Sequence, residues 1–127
     1  MQQGRPPPAM TAEFLSAILE WVGDPVFVKD RDYRFVLVNQ AFCSLTGRPR
    51  GELLGRTDFD LFPKDEAEAF RARDERVFAS GQPDQVEETI TGMGPRRTVA
   101  TTKAPLSGLL AVSFSHVSTW WSNGVNG

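Results

Sequence analysis

The residue in this chain whose type and position most demand a chemical explanation is Asp74. It falls at i+4 inside the stripe Phe70, Val77 and Phe78, which occupies i, i+7 and i+8 of one helical face. A carboxylate left buried and unpaired there would cost several kcal/mol, so Asp74 has a partner, is protonated, or reaches water. Bonds to backbone amides of the preceding loops and contact with a ligand both meet that requirement. Other reactive groups are isolated. Cys43 and His116 are each the single residue of their type, which leaves no chelating pair for zinc. Cys43, beside Phe42 on a short helix, reads as a small core thiol. Glu87 and Glu88 are adjacent on a strand and face opposite sides, so they do not form an acid/base pair. No phosphate-cradling glycine loop leads from a strand into a helix. A small enzyme using Asp74 as a general base would also need a group to stabilise the developing charge, and none is visible.

The elements that must position these residues follow from periodicity and punctuation. Residues 1–10, with Pro6, Pro7 and Pro8, read as a disordered lead-in. Thr11 caps a helix over 11–22 whose Phe14, Leu15, Ile18, Leu19, Trp21 and Val22 cover a broad apolar face, against either its own sheet or a second copy of the chain. An antiparallel hairpin is expected from Val26-Phe27-Val28 and Arg34–Val38, joined by the polar turn Lys29-Asp30-Arg31-Asp32. Asn39 stands where strand becomes helix. Three short helical pieces follow: one bearing Ala41, Phe42 and Leu45, one with Leu53 and Leu54 opened by Pro49, and one capped by Asp58 with Phe59, Leu61 and Phe62. A long helix is predicted over 64–80, with capping-box spacing at Asp65 and Glu68. Gln85–Thr91 and Arg96–Ala104 form a second hairpin that ends at Pro105, and Leu109–Phe114 supplies a fifth, central strand before an irregular tail over 115–127.

Composition bounds the function. A chain of 127 residues is expected to form one domain with a core that needs no metal or disulfide. Its formal charge of -2 and pI near 5.4 give no electrostatic reason to approach nucleic acid. No apolar run approaches the ~20 residues that span a bilayer, and the N-terminus lacks the apolar run of a signal peptide, so a reducing cytoplasm is the expected setting. The whole is an α+β arrangement: a five-stranded antiparallel sheet with short helices and one long helix on one face, preceded by an amphipathic helix. It encloses an aromatic and aliphatic space suited to a small ligand or to none.

In this order of elements the chain resembles a PAS domain. The resemblance covers Asp24 to about Phe114 and is carried by DPVFVKDRDYRFVLVNQAF, the glycine-punctuated SLTGRPRGELLG, TDFDLFP, EAFRARDERVFASG, and the paired glutamates with RRTVATTKAPL. It implies a non-catalytic sensor or interaction module, coupled in cis or in trans to an output such as a histidine kinase. Dimerisation through the helix before the first strand is implied too, which makes Phe14, Leu15, Ile18, Leu19, Trp21 and Val22 candidate interface residues. Candidate pocket residues are Phe42, Leu45, Leu54, Phe70, Asp74, Val77 and Phe78. The familiar cofactors of such domains find no anchor. Residues 64–80 contain no histidine for haem, the region of the flavin-reactive cysteine reads Arg56-Thr57-Asp58-Phe59, and Gly81–Gln85 has no cysteine for a covalent chromophore. No cofactor is therefore expected; a small organic ligand or a partner is the signal the resemblance allows, and a non-covalent flavin or haem is the alternative. The Asp-Ile-Thr or Asp-Val-Thr step that usually leads from the last strand into an output helix is replaced by Ser113-Phe114-Ser115-His116-Val117-Ser118. An excised piece, or a module whose signal is its own association, is expected from that change.

Overall fold

The computed structural model describes residues 11–92 and 94–117, with the backbone alone for Ala12, Leu15, Ser16, Ser115, His116 and Val117. The expectations for residues 1–10 and for the tail beyond 117 lie outside the described residues, as do those for the Leu15 and His116 side chains. Helix α1 (Ala12–Leu19) is capped by Thr11, whose hydroxyl accepts the Phe14 amide at 3.1 Å. It ends three residues earlier than expected. The Trp21 and Val22 amides reach the Ile18 and Leu19 carbonyls at 3.1 Å, a tightened turn that closes the helix ahead of Gly23.

Strands β1 (Val26–Lys29) and β2 (Phe35–Val38) then lead into short helices α2 (Gln40–Thr46), α3 (Arg50–Leu53) and α4 (Asp58–Leu61). The long helix α5 (Lys64–Ser80) precedes β3 (Asp84–Ile90), β4 (Arg97–Leu106) and β5 (Leu109–Val117). The sheet order is β2-β1-β5-β4-β3, antiparallel throughout, so the apolar β5 is central as its composition predicts. Two boundaries differ from the sequence reading. β5 continues past Phe114 to Val117, pairing with Ala100 and Val99. Pro105 lies inside β4, opposite Leu110, and is tolerated because β3 pairs with β4 only as far as Lys103. Beyond that point β4 has an open edge, where a missing amide donor breaks no bond.

Helices α2 to α5 cover one face of the sheet, and the core lies between. Phe27, Phe35, Phe42 and Phe114 pack there ring against ring, with centroids 4.5 to 6.3 Å apart. Each buried phenylalanine contributes about 1.5–3 kcal/mol. Gly92, after β3, packs so closely on α2 that a Cβ there would run into the Leu45 carbonyl.

Asn39 joins these parts. Fully buried, its Oδ1 accepts the Phe42 amide as the N-cap of α2 and also the Val26 amide at the start of β1, both at 3.0 Å. Its Nδ2 donates to the carbonyls of Asp24 at 2.9 Å and Leu19 at 3.2 Å, reaching the last residue of α1. Glu20 makes a second tie, accepting the Gln40 amide at 3.1 Å and the Arg50 guanidinium at 2.7 Å.

Candidate functional site

Strand alternation sends charge into the core. With Phe27 inward on β1, Lys29 must point inward too, and it is 1% exposed rather than part of a polar turn. On β4 the inward set is Val99, Thr101 and Lys103, and on β3 it includes Glu88 and Ile90 while Glu87 faces solvent. The opposite facing of Glu87 and Glu88 is as predicted. Helix α4 begins one residue earlier than expected at its cap: Thr57 is the N-cap, its amide donating to Asp60 Oδ2 at 2.9 Å. Asp58 is thereby freed from capping and turns inward. Asp74 comes from the buried face of α5 beside Phe70 and Val77.

These five groups form one ionic network. Lys29 Nζ donates to Asp58 Oδ2 and, at 2.6 Å, to Asp74 Oδ2. Lys103 Nζ donates to Asp74 Oδ1 at 2.8 Å and lies 3.2 Å from Glu88 Oε2 as an ion pair without hydrogen-bond geometry. Asp74 thus bridges two ammonium groups with its two oxygens, and the backbone-amide explanation from the sequence is replaced by a pair of lysines. The ammonium groups also lie near aromatic faces, Lys29 5.6 Å from the Phe27 and Phe35 centroids and Lys103 5.8 Å from that of Phe70.

The network holds three carboxylates against two ammonium groups, and every member is more than nine-tenths buried. One negative charge is in excess. Burial raises the pKa of Asp58 above the ordinary carboxylate range, with Lys29 opposing. Burial alone would lower that of Lys29, but Asp58 and Asp74 outweigh it and hold the ammonium above its ordinary value. Both directions have one sense: the network retains protons. Burial likewise pushes the Cys43 thiol up, in keeping with an inert core cysteine.

Against the network lies a small void walled by Phe27, Phe62, Phe70 and Phe114, with about 10 Å³ for the centre of a water-sized sphere. That is room for one water-sized group. Outside it, between α5 and β3, opens a surface cleft of about 260 Å³ that includes Asp65, Ala69, Arg73 and Glu87. Phe70 and Glu88 line both spaces and form the wall between them. At the cleft edge Glu66 is buried and fixed, accepting the Thr91 amide at 2.8 Å and hydroxyl at 2.7 Å and pairing with Arg96 at 3.2 Å. Asp65 and Glu68 cap nothing; α5 starts after Pro63 without a side-chain cap.

Of the pocket residues named from sequence, Phe70 and Asp74 meet at this site. Phe42, Leu45 and Val77 are buried in the general core. Phe78 is half-buried at the domain edge, stacked edge-on to Tyr33 at 5.8 Å and under the Arg31 guanidinium at 4.5 Å. Leu54 is exposed and is corrected to Leu53, which is fully buried, because α3 is a single turn whose inward residue periodicity cannot fix. Lys29, Glu88 and Lys103 were missed as site residues. Period-two alternation from Phe27 and Val99 marks both lysines as inward, and an acid stranded on the α5 stripe is the signal that cations must be there to meet it.

A sequence profile of the family described as PAS fold matches residues 19–117, and the chain belongs to that family of sensor domains. Solved structures share the architecture. The Cronobacter turicensis RpfR quorum-sensing receptor PAS domain in complex with BDSF superposes with a TM-score of 0.66 at 24% identity, covering 72% of this chain and 91% of that one. The Rhodobacter sphaeroides LOV protein gives 0.71 at 20% identity, covering 88% and 69%. A domain of a sensory box sensor histidine kinase/response regulator from Geobacter sulfurreducens gives 0.63 at 24%, covering 82% and 96%. The uncharacterized protein y4lL of Sinorhizobium fredii (strain NBRC 101917 / NGR234) is 42% identical over 78 residues, 61% of this chain; the match spans only 9% of that protein's length.

Proposed function

We propose that this domain is a non-catalytic sensor module that takes a small organic ligand between α5 and β3–β4 and reports occupancy through the packing of α1. The observation that carries this reading is the sealed ionic network against a void. Burying five charges costs desolvation that an apolar core of the same shape would avoid, so fold stability is a poor reason for it. Convergent charged groups at an aromatic-lined space are what a binding site requires. The RpfR domain, solved with BDSF and with C12:0, is a relative in fold that holds small molecules.

Catalysis by Asp74 is disfavoured because both its oxygens are engaged by lysines. A void with room for one water-sized group favours a small ligand head over a flavin or haem ring system. A route outward exists in hydrogen bonds. The Gly55 and Arg56 segment before α4 is pinned to β2 by Gly55 N to Phe35 O at 2.8 Å, Phe35 N to Arg56 O at 2.9 Å and Arg34 Nη1 to Gly55 O at 2.7 Å. From β2 the chain runs into Asn39, and Asn39 holds Leu19 of α1. Displacing Asp58 with α4 therefore shifts the seat of α1. Beside that seat Ile18, Trp21 and Val22 are exposed, Trp21 to 90%, a surface suited to a second copy of the chain. In a signalling protein the output would be a domain such as a histidine kinase, in cis or in trans, in the cytoplasm. No described helix is long and apolar enough to cross a membrane.

Native mass spectrometry of the freshly purified protein tests this reading. A retained small molecule on a dimer supports it; a bare monomer at every concentration, with no ligand taken up from a metabolite extract, overturns it.

A further inference from the structure

Resting on the ligand-binding reading above, we propose that the ligand is a small primary amine, bound as its ammonium ion. Its charged head takes the void beside Asp58 and Glu88, and its carbon chain runs over Phe70 into the cleft between α5 and β3.

Charge, satisfaction and size lead to the same ligand. The network holds three carboxylates and two ammonium groups, so a retained proton or an entering cation completes it, whereas an anion would add to the excess. Lys29 already donates to Asp58 and Asp74 and Lys103 to Asp74, so a carboxylate ligand would have to compete with the protein's own acids for both ammonium groups. Glu88 Oε2 is buried, lines the void and accepts no hydrogen bond although Lys103 lies 3.2 Å away. A donor entering the void would satisfy it. The space fits one water-sized group, which matches an –NH3 head and excludes a trimethylammonium. Phenylalanine rings wall the space, and aromatic rings are compatible with a bound cation. Rotation of Phe70 and Glu88, the shared wall, opens the void to the 260 Å³ cleft, large enough for a short carbon chain and edged by Asp65 and Glu87 as well as Arg73 and Arg96.

The test is titration calorimetry of the whole chain at pH 7 with n-butylamine, n-butanol and n-butyrate, three probes of one length and three charges. The amine is expected to bind at least tenfold tighter than the alcohol, and butyrate not at all. Glu88→Gln removes the excess charge in nearly the same shape; it is expected to melt no lower than the parent and to weaken the amine at least tenfold. Ala69→Trp, on the exposed cleft wall, fills the chain's path without touching the core and is expected to abolish binding. Butanol or butyrate binding as well as the amine, or unchanged amine affinity in both variants, overturns the amine assignment and leaves the ligand-binding reading standing. With none of the three bound, a retained ligand of another class in native mass spectra overturns this assignment alone, and its absence overturns both.

Discussion

Asp74 is the residue on which the network depends, since one carboxylate holds two ammonium groups that have no route to water. Asp74→Ala is expected to destabilise the fold by about 3–5 kcal/mol, because it strands buried charge rather than merely deleting a contact. Urea midpoints check this, and a midpoint equal to the parent's would mean that the lysines reach solvent. A variant of Asp74 is consequently a poor probe of ligand binding, whereas Glu88, the surplus acid, is a good one. Helical spacing alone exposes the Asp74 anomaly, because the period of a helix is local. Its partners come from 45 residues upstream and 29 residues downstream, and no local pattern specifies which cation arrives. Asp58 shows the complementary failure. Read locally it is an N-cap, but Thr57 and Asp60 perform the capping, so Asp58 serves Lys29 instead.

Among the elements, α1 is held less by its own packing than by side chains beyond it. Asn39 supplies both an acceptor for Phe42 and Val26 and a donor for Leu19 and Asp24. Asn39→Asp retains the acceptors and loses the donor, placing a carboxylate against carbonyl oxygens. Hydrogen exchange of residues 12–22 is expected to accelerate at least tenfold while β4 and β5 keep their protection, at a cost of about 1–3 kcal/mol. Uniform acceleration across the sheet would mean that Asn39 is only a helix cap. The cap was legible in sequence from the strand-to-helix position. Its grip on α1 was not, because the polypeptide must first fold back to bring Leu19 beside it. The same limit accounts for Leu54 and Leu53: one turn of helix is too short for periodicity to say which leucine faces the core.

At the scale of the whole molecule, burial of the ionic network ties stability to pH. Asp58 has a raised pKa when folded, so its contribution is complete below its ordinary 3.8 and is lost as pH rises through the folded value. The stability of the parent relative to Asp58→Asn should therefore fall as pH rises above about 4, read from urea midpoints. A difference that grew with pH would place the folded pKa below the ordinary one. Lys29, also raised, adds stability that is present below 10.5 and disappears only as pH climbs through its higher folded value. The proposed dimer is tested at the same scale. Ile18→Glu combined with Trp21→Glu is expected to give a monomer by light scattering where the parent is a dimer, and a dimer that persisted would move the interface off α1. The order of strands and helices, the central β5, the buried face of α5 and membership of the PAS family were all determined by the sequence itself, because periodicity, caps and glycine stops act over a few residues. Only the tertiary structure decided that Lys29, Asp58, Asp74, Glu88 and Lys103 meet. Each has an ordinary local role available to it, and the charge they share exists only once four separate elements and the long helix have closed around one space.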